Sequence, residues 1–194
     1  MNRTDVGITI HPSALCESAS IGAGTRIWAF AHVMPGAVIG RACNIGDHCF
    51  VEGGARLGDR VTVKNGVSVW EGVMLSDDVF VGPNVAFTND PLPRAIPHRT
   101  QADDLLPTVV RQSATLGANS TIMCGHVIGR HAFVAAGSVV TRDVPAHVLV
   151  MGAPARPAGW ICQCGQQLDT LACDRCGTRF TRQTDDGLRI ETTR

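Results

Sequence analysis

"VTVKNGVSVWEGVMLSDDVFVG", residues 61–82, decides the fold. Val63, Val69, Leu75 and Val81 fall six apart, and Val61, Val67, Val73 and Val79 each precede one of them by two. A helix would set its apolar residues three and four apart. Here the unit is apolar, one residue, apolar, then three residues drawn mostly from Gly, Asn, Asp, Lys and Glu. Alternation at period two is a strand with one buried face, and the polar triplet is a turn. A chain that repeats strand and corner in this way is a β coil.

The six-residue step extends in both directions. Leu15, Ile21, Ile27, Val33, Ile39, Ile45, Val51 and Leu57 precede the quoted stretch in phase, and Phe87 follows it. The slot four residues after each large one holds Ala19, Thr25, Ala31, Ala37, Cys43, Cys49 and Ala55, then valines. A stretch rich in Pro and charge, "TNDPLPRAIPHRTQADDLLPT", interrupts the pattern and reads as a long excursion, about residues 90–109. The step resumes with Val110, Leu116, Ile122, Ile128, Val134 and Val140, and "DVPAHVLVMGAPARPAG" ends the coil. Such repeats stack as a solenoid that shares one core.

Lys plus Arg equals Asp plus Glu at 17 each, which gives no electrostatic footprint for nucleic acid or an anionic membrane. With no Tyr, 3 Trp and 6 Phe, there is little for stacking bases. No apolar run is long enough for a signal peptide or a membrane span, so the expected location is the cytoplasm.

"IGAGTRI", "IGRACNI", "LGDRVTV", "LGANSTI" and "IGRHAFV" resemble the hexapeptide repeat of left-handed parallel β-helix acyltransferases. The resemblance implies an all-β, left-handed parallel β-helix over residues 1–159, with a terminal coil at 146–159. It also implies triangular coils, so that residues 18 apart stack. "VKNGVSVWEGV", "DDVFVGPNVAFTND", "PRA" and "GAPARPAGW" are similar to N-acetyltransferases that act on the 3-amino group of nucleotide-linked sugars. Both UDP-2-acetamido-3-amino-2,3-dideoxyglucuronate and dTDP-3-amino-3,6-dideoxyhexose types fit. Acetyl-CoA and a nucleotide-linked amino sugar are then the expected ligands, in clefts between the subunits of a homotrimer.

Glu71 and Asn89 each lie two places after an inward residue, hence at a corner and facing outward. In triangular coils they fall on neighbouring rungs, about 4.8 Å apart. The family's motif places an acceptor-binding carboxylate and amide at these positions, although Glu and Asn are also ordinary turn residues. Asn84 and Arg94, beside the excursion, are candidates for the sugar or its diphosphate. The resemblance points to Ala136 and Gly137 for CoA, with Arg142 or Arg156 at the phosphates. His126 occupies a normally small inward slot and reads as buried or interface-bonded. A carbonic anhydrase of the same fold would need a third zinc-ligating histidine earlier on the coil, where the preceding four rungs offer only His48 apart from His98 in the excursion, and "GHVIGRH" is out of phase with that family's motif.

Cys43 and Cys49 fill small inward slots, whereas Cys16 and Cys124 lie outside them. The remaining four of the eight cysteines form Cys162-x-Cys164 and Cys173-x-x-Cys176, each pair followed by Gly. Two such knuckles look like a zinc ribbon over residues 160–194, with four thiolates closing a structural zinc site. Paired disulfides are the competing account. "DGLRIETTR" is expected to add a last strand. The expected function is acetyl transfer to a nucleotide-activated amino sugar. The alternatives are an acyltransferase for another acceptor and a non-catalytic trimeric scaffold.

Overall fold

The computed structural model describes residues 7–95, 105–183 and 187–191. Short parallel strands wind into a β-solenoid of about seven turns, with no helix among the described residues. Three faces result. The first stacks Ile10, Ile27, Ile45, Val63, Val81, Leu116 and Val134. The second stacks Cys16, Val33, Val51, Val69, Phe87, Ile122 and Val140. The third stacks Ile21, Ile39, Leu57, Leu75, Val110 and Ile128. From Ile27 to Val140 these columns are at most 4% exposed. Each such side chain contributes about 1.5–3 kcal/mol through burial.

Two backbone devices set the shape. The glycine that follows a large inward residue lies against the next coil; a side chain on Gly40 would run into Gly58 O and Asp59. From Gly24 onward, most corners also turn through one residue in the left-handed region. On the edge between the first and second faces, Phe30, His48, Asn84 and Asn119 have φ between +56° and +58°, alongside Gly66 and Gly137. Left-handed backbone costs about 1–2 kcal/mol in L residues other than Gly, Asn and Asp. The polar triplets of the sequence supply those types at many of the corners.

The first coil departs from the expected phase. Ile10 pairs with Ile27 and Cys16 with Val33, so these strands are 17 residues apart. Cys16, not Leu15, therefore joins the second face, and Leu15 is 54% exposed. The chain then covers Cys16 to Ile21 in five residues, and Ser18 is buried where Ala19 was expected. Its hydroxyl makes that possible by donating to Ala37 O at 2.6 Å. Cys124 is buried as well, and Thr88 Oγ1 accepts its N–H at 3.0 Å. The His126 side chain is 27% exposed, with Nδ1 3.5 Å from Asp143 Oδ1. An imidazole is too large for a slot that Val73 and Thr108 fill in the coils before it. The coil resumes at Thr108, slightly earlier than expected. Residues 96–104 of the excursion, including His98, lie outside the described residues.

At the far end Val148–Gly152 adds to the first face, parallel to Phe133–Val134. Ala155–Ile161 returns antiparallel to it, and Gln167–Leu168 pairs with that strand in turn. One sheet thus runs through the expected 159/160 division. Phe180–Arg182 and Leu188–Ile190 form a separate hairpin, which supplies the expected last strand. Cys162, Leu168, Cys173, Phe180 and Leu188 make a small second core.

His147 joins the two parts. Its ring stacks on His131 at 4.7 Å and meets Phe180 edge-on at 5.0 Å, and its Nδ1–H donates to Ile161 O at 2.8 Å. Burial, then the neighbouring His147 and Arg130, pull His131 down to about 4; burial also lowers His147. Both histidines bind protons less readily folded than unfolded, where a histidine titrates near about 6.5. Their contribution is full above the unfolded value and drains as pH falls toward the folded one. The unfolding midpoint should therefore fall between pH 7 and pH 4. His131→Asn, with a residue suited to φ +54°, should flatten that dependence, and an unaltered slope would count against the coupling.

Candidate functional site

The second-to-third edge brings Glu71 and Asn89 together as the stacking requires. Ser68 pairs with Ala86 on the preceding strands, and Asn89 Nδ2 donates to Glu71 O at 3.5 Å. The amide thus reaches the Glu71 main chain. Among the described residues no donor is bonded to the Glu71 carboxylate, which stands exposed. Glu52, one coil earlier, accepts the Glu71 N–H at Oε2, 2.8 Å away. Trp70 braces the same corner by donating Nε1–H to Phe87 O at 2.9 Å and packing on Phe50 at 5.6 Å. Gly54 has φ +89°, and a Cβ there would lie 3.0 Å from Glu71 Cγ, so glycine keeps room for that side chain.

Both ends of the excursion are tied to this corner. Leu106 N donates to Asn89 O at 2.8 Å, and Thr108 N donates to Gly72 O at 3.2 Å. Arg94, within the excursion, is exposed and donates Nη1–H to Pro93 O at 3.4 Å. No bond connects it to Glu71 or Asn89 among the described residues.

The other candidates fall at two further places. Asn84 is on the first-to-second edge, in one column with Asn119 and Gly137; Asn119 N donates to Pro83 O, and Gly137 N to Ala118 O, both at 2.9 Å. Ala136 and Gly137 belong to that edge, away from Glu71 within one chain. Arg142, in contrast, continues the Glu71 column: Glu71, Asn89, Cys124 and Arg142 each lie two residues after an inward residue of the second face. Three rungs make that run about 14 Å long. Arg142 there lines a cleft of about 480 Å³ with Asp143, Pro145, Val148, Pro157 and Trp160. Arg156 does not line it, and turns Nη1–H onto Ala155 O at 2.9 Å.

Glu52 and Trp160 escaped the sequence reading. Glu52 has a weak signal in its place one coil below Trp70. Trp160 has none, because it depends on the chain folding back after Gly152.

The four C-terminal cysteines converge. Cys162 Sγ lies 3.5 Å from Cys176 Sγ, Cys164 Sγ lies 3.6 Å from Cys173 Sγ, and all four sulfurs are within 4.8 Å of one another. A disulfide needs about 2.05 Å, so these are thiols. Tetrahedral thiolates about 2.3 Å from a zinc ion would lie roughly 3.8 Å apart, and the cluster fits that size. Gly165 and Gly177 close the two turns with φ +84° and +73°, their N–H groups bonded to Cys162 O and Cys173 O. Burial pushes the Cys162 thiol up to about 12, whereas hydrogen bonds from Thr178 draw Cys176 down to about 6.

Comparison with known proteins agrees with this architecture. The repeat described as "Bacterial transferase hexapeptide (six repeats)" matches residues 18–53. "Hexapeptide repeat of succinyl-transferase" matches 36–71 and 107–142. The dTDP-3-amino-3,6-dideoxy-α-D-galactopyranose 3-N-acetyltransferase of Aneurinibacillus thermoaerophilus is 48% identical over 174 residues, 88% of this chain and 89% of its own. A mutant perosamine N-acetyltransferase from Caulobacter crescentus, solved with CoA and GDP-perosamine, superposes with TM-score 0.51 at 25% identity. That match covers 79% of this chain and 57% of the other. The acetyltransferase domain of PglB from Neisseria gonorrhoeae gives TM-score 0.54 at 22% identity, over 79% of this chain and 58% of that one.

Proposed function

The chain belongs to the hexapeptide-repeat acetyltransferases, and from that premise we propose that it transfers the acetyl group of acetyl-CoA to the 3-amino group of a nucleotide-linked sugar. The observation that carries this reading is the 48% identity, over nearly the whole chain, to an enzyme named for that reaction. The same likeness favours a dTDP-linked 3-amino-3,6-dideoxyhexose as acceptor.

The geometry supplies a route. Glu71, whose carboxylate no donor among the described residues holds, takes the sugar amine and orients it, with Asn89 one rung away holding the amine or a neighbouring hydroxyl. Once neutral, the amine attacks the thioester carbonyl; the C–N bond forms, the C–S bond breaks and CoA leaves as the thiol. An amine titrating near about 8 is already partly neutral at pH 7, so positioning supplies much of the rate. Glu71 is a positioning group first and a proton acceptor second. The column from Glu71 to Arg142 leads toward the Trp160 cleft, which suits CoA with a guanidinium at its phosphates.

Asn84, Ala136 and Gly137 lie on another edge of the same chain. A neighbouring subunit that presents this edge to Glu71 would complete the site, which favours a homotrimer. The coordinating residues of the C-terminal module are Cys162, Cys164, Cys173 and Cys176, holding one structural zinc ion as thiolates. Thiols throughout the cluster, together with buried Cys43 and Cys49, suit a reducing cytoplasm.

Thiol release from acetyl-CoA should follow addition of a dTDP-linked 3-amino-3,6-dideoxyhexose and not of its N-acetylated form. Silence with every 3-amino sugar while CoA still binds would assign another acceptor, and no CoA binding would reject the enzyme. Glu71→Ala should lower kcat/KM for the amino sugar about ten- to hundredfold, as loss of a charged hydrogen bond of roughly 1.5–3 kcal/mol requires. Its KM for acetyl-CoA should change little; normal acceptor kinetics would remove Glu71 from the site. Metal analysis of freshly reduced protein should find one zinc per chain, lost in Cys173→Ser, and metal-free wild-type protein would refute the zinc site.

A further inference from the structure

A cleft of about 400 Å³ opens where the cysteine module meets the end of the solenoid. The solenoid supplies Arg130, His131 and His147; the module supplies Gln163, Gln183 and Arg189. No carboxylate lines it among the described residues. Two other arginines of this edge are matched to acids. Arg41 lies 3.7 Å from Asp59, and Arg60 meets Asp78 through two hydrogen bonds, at 2.6 and 2.9 Å. Arg130 gives one Nη2–H to Gln112 Oε1 at 2.8 Å, which fixes the guanidinium without neutralising it. Neither Arg130 nor Arg189 has an acidic partner among the described residues.

The acids nearby are engaged elsewhere. Asp77 lies 3.7 Å from Arg60 Nη2, Asp78 accepts from Arg60 and Gln112, and Asp143 accepts the Val127 N–H at 2.9 Å. Two guanidinium groups with no acidic partner among the described residues therefore line one recess, with two side-chain amides and two imidazoles around them. Planar guanidinium forks bind phosphate oxygens in pairs, and amides and imidazoles complete such a shell.

We propose that this cleft is a second ligand site, distinct from the Glu71 corner, which binds the diphosphate group of a nucleotide or of free pyrophosphate. It lies on the third-to-first edge, since Arg130 follows Ile128 of the third face by two residues, whereas Glu71 and Asn89 lie on the second-to-third edge. Half of its wall belongs to the cysteine module. The module thereby gains a role beyond capping the solenoid: it builds a phosphate site that the repeat alone does not contain.

Calorimetric titration of inorganic pyrophosphate, and separately ADP, into full-length protein saturated with CoA tests this. With dTDP also added to saturation, both substrate sites are occupied, so the remaining heat reports the cleft. One saturable site per chain is expected, weakened at least tenfold in Arg189→Gln and in Arg130→Gln, with melting temperature and acetyl transfer unchanged in the exposed Arg189→Gln. Comparable affinities for the two probes would identify free diphosphate as sufficient, and at least tenfold tighter ADP would identify a nucleotide ligand. Absence of binding to the protein saturated with both, or binding that both variants retain, would overturn the proposal. Because the readout is binding, a failure here leaves the acetyltransferase reading untouched, and the reverse also holds.

Discussion

Coil-on-coil stacking at a fixed register is the constraint on which the rest of the structure depends. Each rung hands its main-chain hydrogen bonds to the next, as when Gly46 N donates to Val63 O and Gly82 N to Leu116 O, both at 2.8 Å. That spacing leaves no room for a side chain at Gly40 and fixes every inward column over its neighbour. It acts on the surface equally. Once a corner residue is placed, the residue 18 positions on stands beside it. Glu71 and Asn89 are neighbours for the same reason that Val51 and Val69 are.

Stacking also explains how a narrow rod holds a site. A single coil has no deep concave surface, and the recesses at the candidate sites arise where the regular winding is interrupted. One interruption is the excursion, clamped at Asn89 and Leu106 beside the Glu71 carboxylate. The other is the reversal after Gly152, which sets Trp160 against the solenoid and carries the cysteine module back onto His147. The candidate acceptor corner belongs to the first, and both the Arg142 cleft and the basic cleft at Arg130 belong to the second.

Most of the fold was legible in the sequence because period six is local: each inward residue announces itself by its immediate neighbours. The first coil was misread because Leu15 continues the period, while the structure takes a five-residue step and turns Cys16 inward. That choice rests on the Ser18 hydroxyl reaching Ala37 O, a contact 19 residues away that no local pattern encodes. His126 fitted the period and not the slot, since size decides packing once phase is given. In the site, Glu71 and Asn89 were readable as corner residues 18 apart. Glu52 and Trp160 were not, because each is defined by another coil or by a chain reversal. The four cysteines were readable as two knuckles; their interlocked contacts, Cys162 with Cys176 and Cys164 with Cys173, emerge only in three dimensions.

The central claim is that stacking builds the acceptor site at the Glu71 and Asn89 corner. A crystal structure of the protein with CoA and a dTDP-linked 3-amino-3,6-dideoxyhexose tests it most directly. The sugar amine should lie within about 3.2 Å of the Glu71 carboxylate, with the Asn89 amide in reach of the amine or the adjacent hydroxyl. An acceptor bound with its amine on another edge, out of contact with both residues, would contradict it.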